Sequence, residues 1–218
     1  MRIRDKIKKP QRPVVAYEIL PPREKDGTLN SYAETISSLL SQTHIDAINI
    51  PEVHDEISRG ERPVSNQERG EPRKFGMLLQ DIVGIEAIVN RVVVHMPLKK
   101  QMEWVEETYS QYEIDNLIIV GGESSKQQYP GPTVNESLEK ISQENRLRKK
   151  SILCGGICIP SRKKESKNLI RKSECGAEFF TTQVLCDSGN VIKMIKNYQE
   201  RCDEVNTFPR RILLSFAP

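Results

Sequence analysis

Residues 90–122 read NRVVVHMPLKKQMEWVEETYSQYEIDNLIIVGG, and they contain the unit that decides the fold. The apolar run 90–96 predicts a strand, the amphipathic segment 99–112 predicts a helix, and the apolar run 115–122 predicts the next strand. Because the two strands are almost continuously apolar, both of their faces are expected to be buried. This is typical of a parallel sheet covered by helices, so the unit predicts an α/β fold.

The same alternation extends along the rest of the chain. The segment 52–74 is charged and punctuated by glycine and proline, so it is interpreted as a long exposed loop. Thr133 and Glu136 form a capping box at the start of one helix, and Gly176 is expected to stop another. Further strands are predicted at 14–20, 45–50, 150–159, 178–185 and 210–218, and further helices at 29–42, 74–83, 133–145, 164–176 and 188–201. The predicted order is (βα)₆β.

Two architectures fit this order, an open doubly wound sheet and a β/α barrel. The first strand is not followed by G-x-G-x-x-G, which disfavours the dinucleotide-binding open sheet. Barrel enzymes assemble their chemistry from the carboxyl ends of several strands. Polar residues stand at the predicted strand ends of this chain: Glu18, Asn49, His95, Glu123 and Gln183.

We therefore predict a TIM-type (β/α)8 barrel, of which about seven strands are present and the last β/α unit is missing. The barrel is expected to be one catalytic domain, 14–218, preceded by a basic N-terminal arm, 1–13, that is solvated. An incomplete barrel exposes the edges of its first and seventh strands. A homo-oligomer is therefore a possible consequence.

Charge and hydropathy restrict the possible partners. The chain has 33 basic and 30 acidic residues, intermixed, and a formal net charge of +3. This balance argues against a nucleic-acid surface, which normally shows a concentrated basic stripe. No apolar stretch reaches the length of a membrane span, and no apolar region follows the basic N-terminus as in a secretory signal. A cytoplasmic protein that does not bind membranes is expected.

The cysteines do not predict a metal site. Their number is odd, and most of them lie inside apolar segments, as expected for buried reduced thiols. Cys154 and Cys158 are separated by three residues, but no second cysteine or histidine pair of metal-site spacing accompanies them. We therefore expect no bound metal.

Glu18 and Gln183 are candidate functional residues within apolar strands. Alternation places Glu18 on one face with Ala16 and Leu20. A carboxyl group among apolar neighbours has a raised pKa and can serve as a general acid, and the alternative is a strand-end acid that points to water. Gln183 offers both a donor and an acceptor to a heterocycle edge. Its alternative is a core glutamine bonded to the backbone.

His95 could orient a ligand or simply end its strand. His44 and His54 have no obvious companions in the sequence, so both are expected to be solvated.

The stretch LIIVGGESSKQQYPGP, 117–132, poses the question of what Glu123 does at the end of a strand. The pattern of a P-loop is absent, Lys126 stands in the wrong place for one, and an acid would repel phosphate. A carboxylate can instead accept two parallel hydrogen bonds from a planar N–H/NH₂ edge, such as a guanidinium or an aminopyrimidinone. A pterin presents that edge.

From residue 14 onward these motifs together resemble the methylenetetrahydrofolate reductase family, whose catalytic domain is a flavin-binding β/α barrel. Tyr17-Glu18-Ile19-Leu20-Pro21-Pro22 resembles the family's F-E-F-x-P-P. Gly121-Gly122-Glu123 stands where the family has R-G-D, and Thr182-Gln183 resembles its T-Q. His95 resembles the histidine of H-L-T-C. The helix Glu165–Lys172, which leads to Cys175-Gly176-Ala177, resembles the family's acid-to-lysine helix ending in A-G-A.

The resemblance implies a role for each of these residues. Glu18 would be the general acid that assists opening of the folate's imidazolidine ring at N10. Glu123 and Gln183 would bind the pterin, and Glu123 would also stabilise positive charge that develops during ring opening. The residues implied in flavin binding are His95, Glu165 and Lys172.

Three departures fall on the flavin side of the implied site. Gly121 replaces the arginine of R-G-D. The second strand ends in Asn49-Ile50-Pro51-Glu52 instead of V-T-x-G, and Gly155-Gly156-Ile157-Cys158-Ile159-Pro160 replaces Y-P-E-x-H-P. Folate binding is therefore better supported than FAD binding.

The implied activity is that of an oxidoreductase of one-carbon metabolism that supplies methionine biosynthesis. It would reduce 5,10-methylenetetrahydrofolate to 5-methyltetrahydrofolate with NAD(P)H as hydride donor, through FAD or directly. Two alternatives stay open. One is a tetrahydrofolate-binding accessory protein of a methyl-transfer system, without reductase activity. The other is an unrelated barrel enzyme that acts on a phosphorylated small molecule.

Overall fold

Seven parallel strands form one sheet whose spatial order follows the order along the chain. The computed structural model describes residues 1–54, 68–123, 127–185 and 187–217. The strands are β1 (Ala16–Glu18), β2 (Ala47–Ile50), β3 (Ala87–Val92), β4 (Asn116–Val120), β5 (Leu153–Cys158), β6 (Phe179–Val184) and β7 (Arg211–Ser215). The helices are α1 (Ile3–Lys8), α2 (Leu29–Leu40), α3 (Pro72–Val83), α4 (Leu98–Ser110), α5 (Val134–Arg148), α6 (Glu165–Glu174) and α7 (Ser188–Glu204).

The sheet curls around an interior, and α1 fills the amino-terminal end of that interior. Ile3 and Ile7 of this helix are 1% and 2% exposed. They belong to one apolar cluster with a residue from each of five successive strands: Ala47, Ile88, Ile118, Leu153 and Phe179. One short helix can contact five strands only if the sheet wraps around it. The fold is therefore a β/α barrel of seven strands, as predicted.

The helices cover the outer face of the barrel. A larger apolar cluster joins the outward side chains of the strands, such as Ile48, Val89 and Leu117, to helix residues such as Phe75 and Leu138. The predicted capping box is confirmed at the start of α5, where Thr133 Oγ1 accepts from the Glu136 amide and Glu136 Oε2 accepts from the Thr133 amide. From β1 to β7, strands and helices alternate, which confirms the predicted order (βα)₆β.

The basic N-terminal segment differs from the solvated arm that its charges predicted. Residues 3–8 form α1, whose two isoleucines are buried while its cationic residues reach acids on the barrel. Arg2 pairs with Glu86 and Asp115, and Lys6 pairs with Asp46 at 3.0 Å. The positive charges therefore anchor a helix that closes the amino-terminal end of the barrel.

The third strand lies earlier in the sequence than predicted. The apolar pattern placed it at 90–96, but β3 is Ala87–Val92 and a short 3₁₀ turn, Val93–His95, follows. Asn90 and Arg91 are 8% and 5% exposed, so polar residues lie well inside the strand instead of at its start. The first strand is shorter than predicted as well, since β1 is Ala16–Glu18.

The barrel is open between β1 and β7. Among the described residues, β1 pairs with β2 and β7 pairs with β6, and no strand pairing joins β1 to β7. A cavity of about 430 Å³ lies between the segment Pro10–Val14 and β7. In the described parts of the chain, no helix combines the length and the apolar character that crossing a membrane requires.

Candidate functional site

Two asparagines face the barrel interior near the carboxyl ends of their strands. Ala47 and Ile88 belong to the interior cluster, and Asn49 and Asn90 follow two residues later in β2 and β3. Because side chains two residues apart in a strand share a face, both amides point inward. Each asparagine is 8% exposed. The interior therefore changes from apolar to polar toward this end of the barrel, which we call the mouth.

Glu18 and Asn49 form a hydrogen-bonded pair across β1 and β2. The two residues are register partners, and Asn49 Nδ2 donates to Glu18 Oε2 at 2.7 Å. A carboxylate accepts hydrogen bonds, so the amide must turn its NH₂ group toward Glu18 and its oxygen away. Asn49 Oδ1 is buried and has no hydrogen-bond partner among the described residues. The pair thus places an exposed carboxylate and a fixed, buried amide acceptor near the mouth.

The surroundings of Glu18 differ from those predicted. The sequence placed this carboxyl group among apolar neighbours, but its side chain is exposed. The reason is that β1 lies at the open edge of the sheet, with β2 on one side. Exposure leaves the carboxyl group accessible to a ligand, and its predicted role as a general acid stays a prediction.

Asn90 has the same burial as Asn49 but no fixed orientation. Its Oδ1 atom is buried and without a hydrogen-bond partner in the described part of the chain. Among the described residues, no hydrogen bond fixes which end of this amide faces inward, so Asn90 can present either a donor or an acceptor.

Glu52, directly after β2, is held at the side of the mouth. Glu52 Oε1 lies 2.5 Å from Arg91 Nη1, and Glu52 Oε2 accepts from the Val92 amide at 2.7 Å. Arg91 Nε in turn donates to Gln101 Oε1 at 2.8 Å, and its guanidinium lies 4.6 Å from the centre of the Trp104 ring. These contacts fasten the start of the β2–α3 segment to β3.

The rings of His54 and His95 pack against each other beside this ion pair, with their planes tilted by 41°. Their ring centroids are 4.6 Å apart, and His54 Nε2 lies 3.2 Å from Glu52 Oε1. The Tyr129 ring meets His95 edge-on at 5.6 Å. The prediction of a solvated His54 holds only in part, because 35% of this side chain is exposed and its ring packs against His95. The predicted loop 52–74 is otherwise largely untested, since residues 55–67 lie outside the described ones.

The glycines around Glu123 allow a close approach between two loops. A side chain on Gly122 would place its Cβ 2.2 Å from the Tyr129 ring. A Cβ on Gly131 would lie 2.5 Å from the carbonyl oxygens of Val93 and Met96, and the Gly131 amide donates to Val94 O at 2.8 Å. The loop after β4 therefore packs on the loop after β3. Glu123 is exposed at this junction, at the carboxyl end of β4.

Gln183 lies at an irregularity near the end of β6. Thr181 pairs with Leu213 and Val184 with Ser215, so β6 has one residue more than β7 over this interval. Ser215 stabilises the bulge, because its amide donates to Thr182 Oγ1 at 2.9 Å and its hydroxyl donates to Thr182 O at 2.8 Å. Gln183 is exposed. The alternative of a core glutamine is therefore wrong, and this amide is accessible from solvent.

Glu165 and Lys172 are placed differently from the other candidates. The Glu165 side chain is 1% exposed and accepts from the Ile159 amide at 2.9 Å and from Asn168 Nδ2 at 3.0 Å. Lys172 Nζ donates to Ile157 O at 2.5 Å, and burial lowers the pKa of this lysine against the opposing charge of Glu165. Both side chains hold the β5–α6 loop. The flavin-binding roles that the resemblance implies for Glu165 and Lys172 stay predictions.

The thiols of Cys154 and Cys158 are buried. Burial raises the pKa of each to about 12. Across the described ranges, no group of three or more histidine, cysteine, aspartate or glutamate side chains could hold a metal ion.

Glu18, His95, Glu123 and Gln183 lie at or just beyond the carboxyl ends of strands, and Glu165 and Lys172 hold the loop that follows the carboxyl end of β5. Asn49 was predicted only as a strand-end polar residue, and no role was predicted for Asn90 or Glu52. The two asparagines could have been recognised as candidates because each is a polar residue within an otherwise apolar strand.

The chain is similar to known proteins in structure, whereas the sequence comparisons found no match. No family model and no curated protein matches the chain. A protein from Clostridium thermocellum that binds two copies of 5-methyl-5,6,7,8-tetrahydrofolic acid is similar in structure, with a TM-score of 0.75 and 18% identity over 97% of this chain and 68% of that chain.

Other solved structures are similar at lower scores. One is 2,3-dimethylmalate lyase, of the PEP mutase/isocitrate lyase superfamily, with a TM-score of 0.62 and 12% identity over 99% of this chain and 80% of that chain. Another is oxaloacetate acetylhydrolase bound to the inhibitor 3,3-difluorooxalacetate, with a TM-score of 0.60 and 8% identity over 99% of this chain and 79% of that chain. At such low identities the likenesses show the fold, a TIM-type β/α barrel with seven strands present.

Proposed function

We propose that this chain is a tetrahydrofolate-binding β/α barrel. The observation that carries the proposal is the acceptor pair at the mouth. It is formed by the Glu18 carboxylate and by the fixed Oδ1 atom of Asn49, which has no hydrogen-bond partner among the described residues. A reduced pterin carries ring N–H and amino donors along its edges, so a mouth that offers acceptors is complementary to it. The structural likeness to a protein that binds 5-methyltetrahydrofolate supports the same ligand class.

The residues around the mouth supply the remaining recognition groups. Glu123 would accept the two parallel donors of the aminopyrimidinone edge, and Gln183 would offer both a donor and an acceptor to the ring. Both side chains are exposed at the carboxyl ends of their strands. His95 and Tyr129 add an aromatic surface beside Gly122, on which a flat ring can pack.

Reductase activity is a further step that these residues do not by themselves supply. A hydride donor would have to lie beside the folate, and Glu165, implied in flavin binding, is committed to its own loop. Folate binding, as in an accessory protein of methyl transfer, therefore has the better support. FAD, NAD(P)H and the protonating role of Glu18 stay predictions.

Isothermal titration of the purified chain with 5-methyltetrahydrofolate under anaerobic conditions tests the proposal. The expected result is saturable binding that Glu123→Gln and Glu18→Gln each weaken roughly 10- to 100-fold, the loss expected for a charge-assisted hydrogen bond. Glu200→Gln, an exposed acid on the outer helix α7, is the matched control and should bind like the wild type. Absence of binding to the wild type at millimolar folate would refute the proposal.

A second measurement separates binding from reduction. The visible spectrum of the purified protein reports a bound flavin, and the absorbance of NADH or NADPH in the presence of 5,10-methylenetetrahydrofolate reports turnover. We expect folate binding without oxidation of either nicotinamide. Turnover that Glu18→Gln lowers by roughly 10²–10⁴ would instead establish the reductase and its general acid.

A further inference from the structure

The buried acceptor on Asn49 requires a donor that the described residues do not provide. Asn49 lies on the inward face of β2 near the mouth, its Oδ1 atom is buried without a hydrogen-bond partner among the described residues, and Nδ2 of the same amide is bound to Glu18. Buried polar groups in native proteins are almost always hydrogen-bonded, and the exceptions point to a bound water, an ion or a functional role. Since the amide cannot be reversed without facing its oxygen toward a carboxylate, the missing partner must be an N–H or O–H donor.

The oxidation state of a pterin decides whether its second ring offers such a donor. In tetrahydrofolate, N8 carries a hydrogen and donates, whereas in folic acid N8 has a lone pair and accepts. The aminopyrimidinone edge presents the same N–H and NH₂ donors in both compounds. An acceptor that faces the second ring is therefore satisfied by the reduced ligand and opposed by the oxidised one.

The spacing of the strands allows Glu123 and Asn49 to bind opposite ends of the ring system. Glu123 follows β4 and Asn49 lies in β2, with β3 between them. Two inter-strand spacings amount to about 10 Å, a distance that a two-ring heterocycle spans with a hydrogen bond at each end. With Glu123 on the aminopyrimidinone edge, Asn49 and Glu18 are left to the reducible ring.

From these observations we infer that Asn49 selects the reduced, tetrahydro form of the folate over the oxidised form. The inference rests on the proposed function and adds a specificity residue to it. Asn90, on the next strand, is equally buried and also faces inward, but its amide can present either end. It can therefore bind either ligand and does not discriminate between them.

The test compares the affinities of the purified chain for tetrahydrofolate and for folic acid, measured anaerobically by isothermal titration. We expect the wild type to bind tetrahydrofolate at least about tenfold more tightly than folic acid. Asn49→Leu, which replaces the amide by an apolar group of similar shape, should bring this ratio to within about threefold. Asn90→Leu is the matched control and should keep the wild-type ratio, whatever it does to the two affinities.

The possible outcomes distinguish the inference from the proposed function. If the wild type binds neither compound, the proposed function fails and the inference fails with it. If both compounds bind and Asn49→Leu keeps the wild-type ratio, the inference is overturned while folate binding stands. An equal loss of discrimination in Asn49→Leu and Asn90→Leu would also overturn the assignment to Asn49. Asn49→Ser, which leaves space instead of filling it, replaces the leucine variant if circular dichroism shows that the latter is unfolded.

Discussion

Glu52 and Arg91 form an ion pair with 2.5 Å between Oε1 and Nη1, and this pair joins the segment after β2 to β3. Their side chains are 15% and 6% exposed. Burial acts to raise the pKa of Glu52, but the hydrogen bond with His54, the charge of Arg91 and the Val92 amide outweigh it. The pKa of Glu52 therefore lies below its ordinary value. The carboxylate stays ionised and fixes one side of the mouth.

Replacing Glu52 by glutamine should destabilise the protein in a pH-dependent way. The variant leaves the buried Arg91 without its counter-charge, a loss expected to cost about 3–5 kcal/mol of unfolding free energy at pH 7. The folded pKa of Glu52 is lower than the unfolded value of about 4.3. The stabilisation is therefore complete above that unfolded value and is lost as the pH falls through the folded pKa. Urea unfolding from pH 7 to pH 3 measures the difference.

Glu103→Gln is the control for this series. Glu103 pairs with Lys100 at 2.7 Å on the exposed face of α4, where the ion pair is well solvated. Its unfolding midpoint should stay close to that of the wild type at each pH. A Glu52→Gln variant that differs from the wild type by the same amount at pH 3 and pH 7 would contradict the assigned role of the carboxylate.

Gly122→Ala should displace the Tyr129 ring from His95. The new Cβ would lie 2.2–2.4 Å from the outer atoms of that ring, which can swing away while the backbone stays in place. Since an aromatic ring held edge-on shifts the proton resonances of its neighbour, the imidazole signals of His95 should move by NMR. Tyr129→Leu should reproduce the change. Gly121→Ala is the control, because its Cβ would contact only Val134, at 3.3 Å, among the described residues.

The alternation of strands and helices was predictable because it depends on local burial. Each strand carries a compact apolar run and each of the six long helices an amphipathic pattern, and these periodicities are properties of short segments. The capping box of Thr133 and Glu136 is likewise contained within four residues, and the structure confirms it. The polar strand ends indicated the mouth for the same reason, since parallel strands bring their carboxyl ends together.

Contacts between distant segments were not predictable from the sequence. The charge of Arg91 gives no sign that Glu52, 39 residues earlier, will neutralise it inside the protein. The fixed orientation of Asn49 depends on the register of β1 against β2, which pairs it with Glu18. The helix α1 was missed because its cationic residues dominate a six-residue segment that contains only two isoleucines.

Ile7→Ala should show that α1 is part of the barrel core. The side chain is 2% exposed and packs in the interior cluster with residues of β2 to β6. Truncation of a buried isoleucine leaves a cavity and is expected to cost about 2–5 kcal/mol of unfolding free energy. Leu147→Ala, at a position that is 77% exposed on α5, should change stability by no more than about 0.5 kcal/mol. Chemical denaturation of both variants makes the comparison, and equal losses would contradict the packing of α1.

Two adjacent glycines of β5 should respond in opposite ways to the same substitution. A Cβ on Gly155 would lie 2.5–2.8 Å from the Phe179 ring, which is fully buried inside the barrel. A Cβ on Gly156 would make ordinary contacts of 3.5 Å with Lys172 and Phe180 on the outer face. Gly155→Ala therefore overpacks the interior and should cost about 1–3 kcal/mol.

Gly156→Ala removes conformational freedom from the unfolded chain at a position with room for the methyl group. It should leave stability unchanged or raise it by about 0.4–1 kcal/mol. The urea midpoints of unfolding of the two variants and the wild type are compared. The midpoint of the wild type should lie between those of the two variants or equal that of Gly156→Ala. Because both substitutions change the same residue type in the same strand, a difference between them reports the two faces of β5. A more stable Gly155→Ala would mean that Phe179 does not fill the barrel interior beside β5.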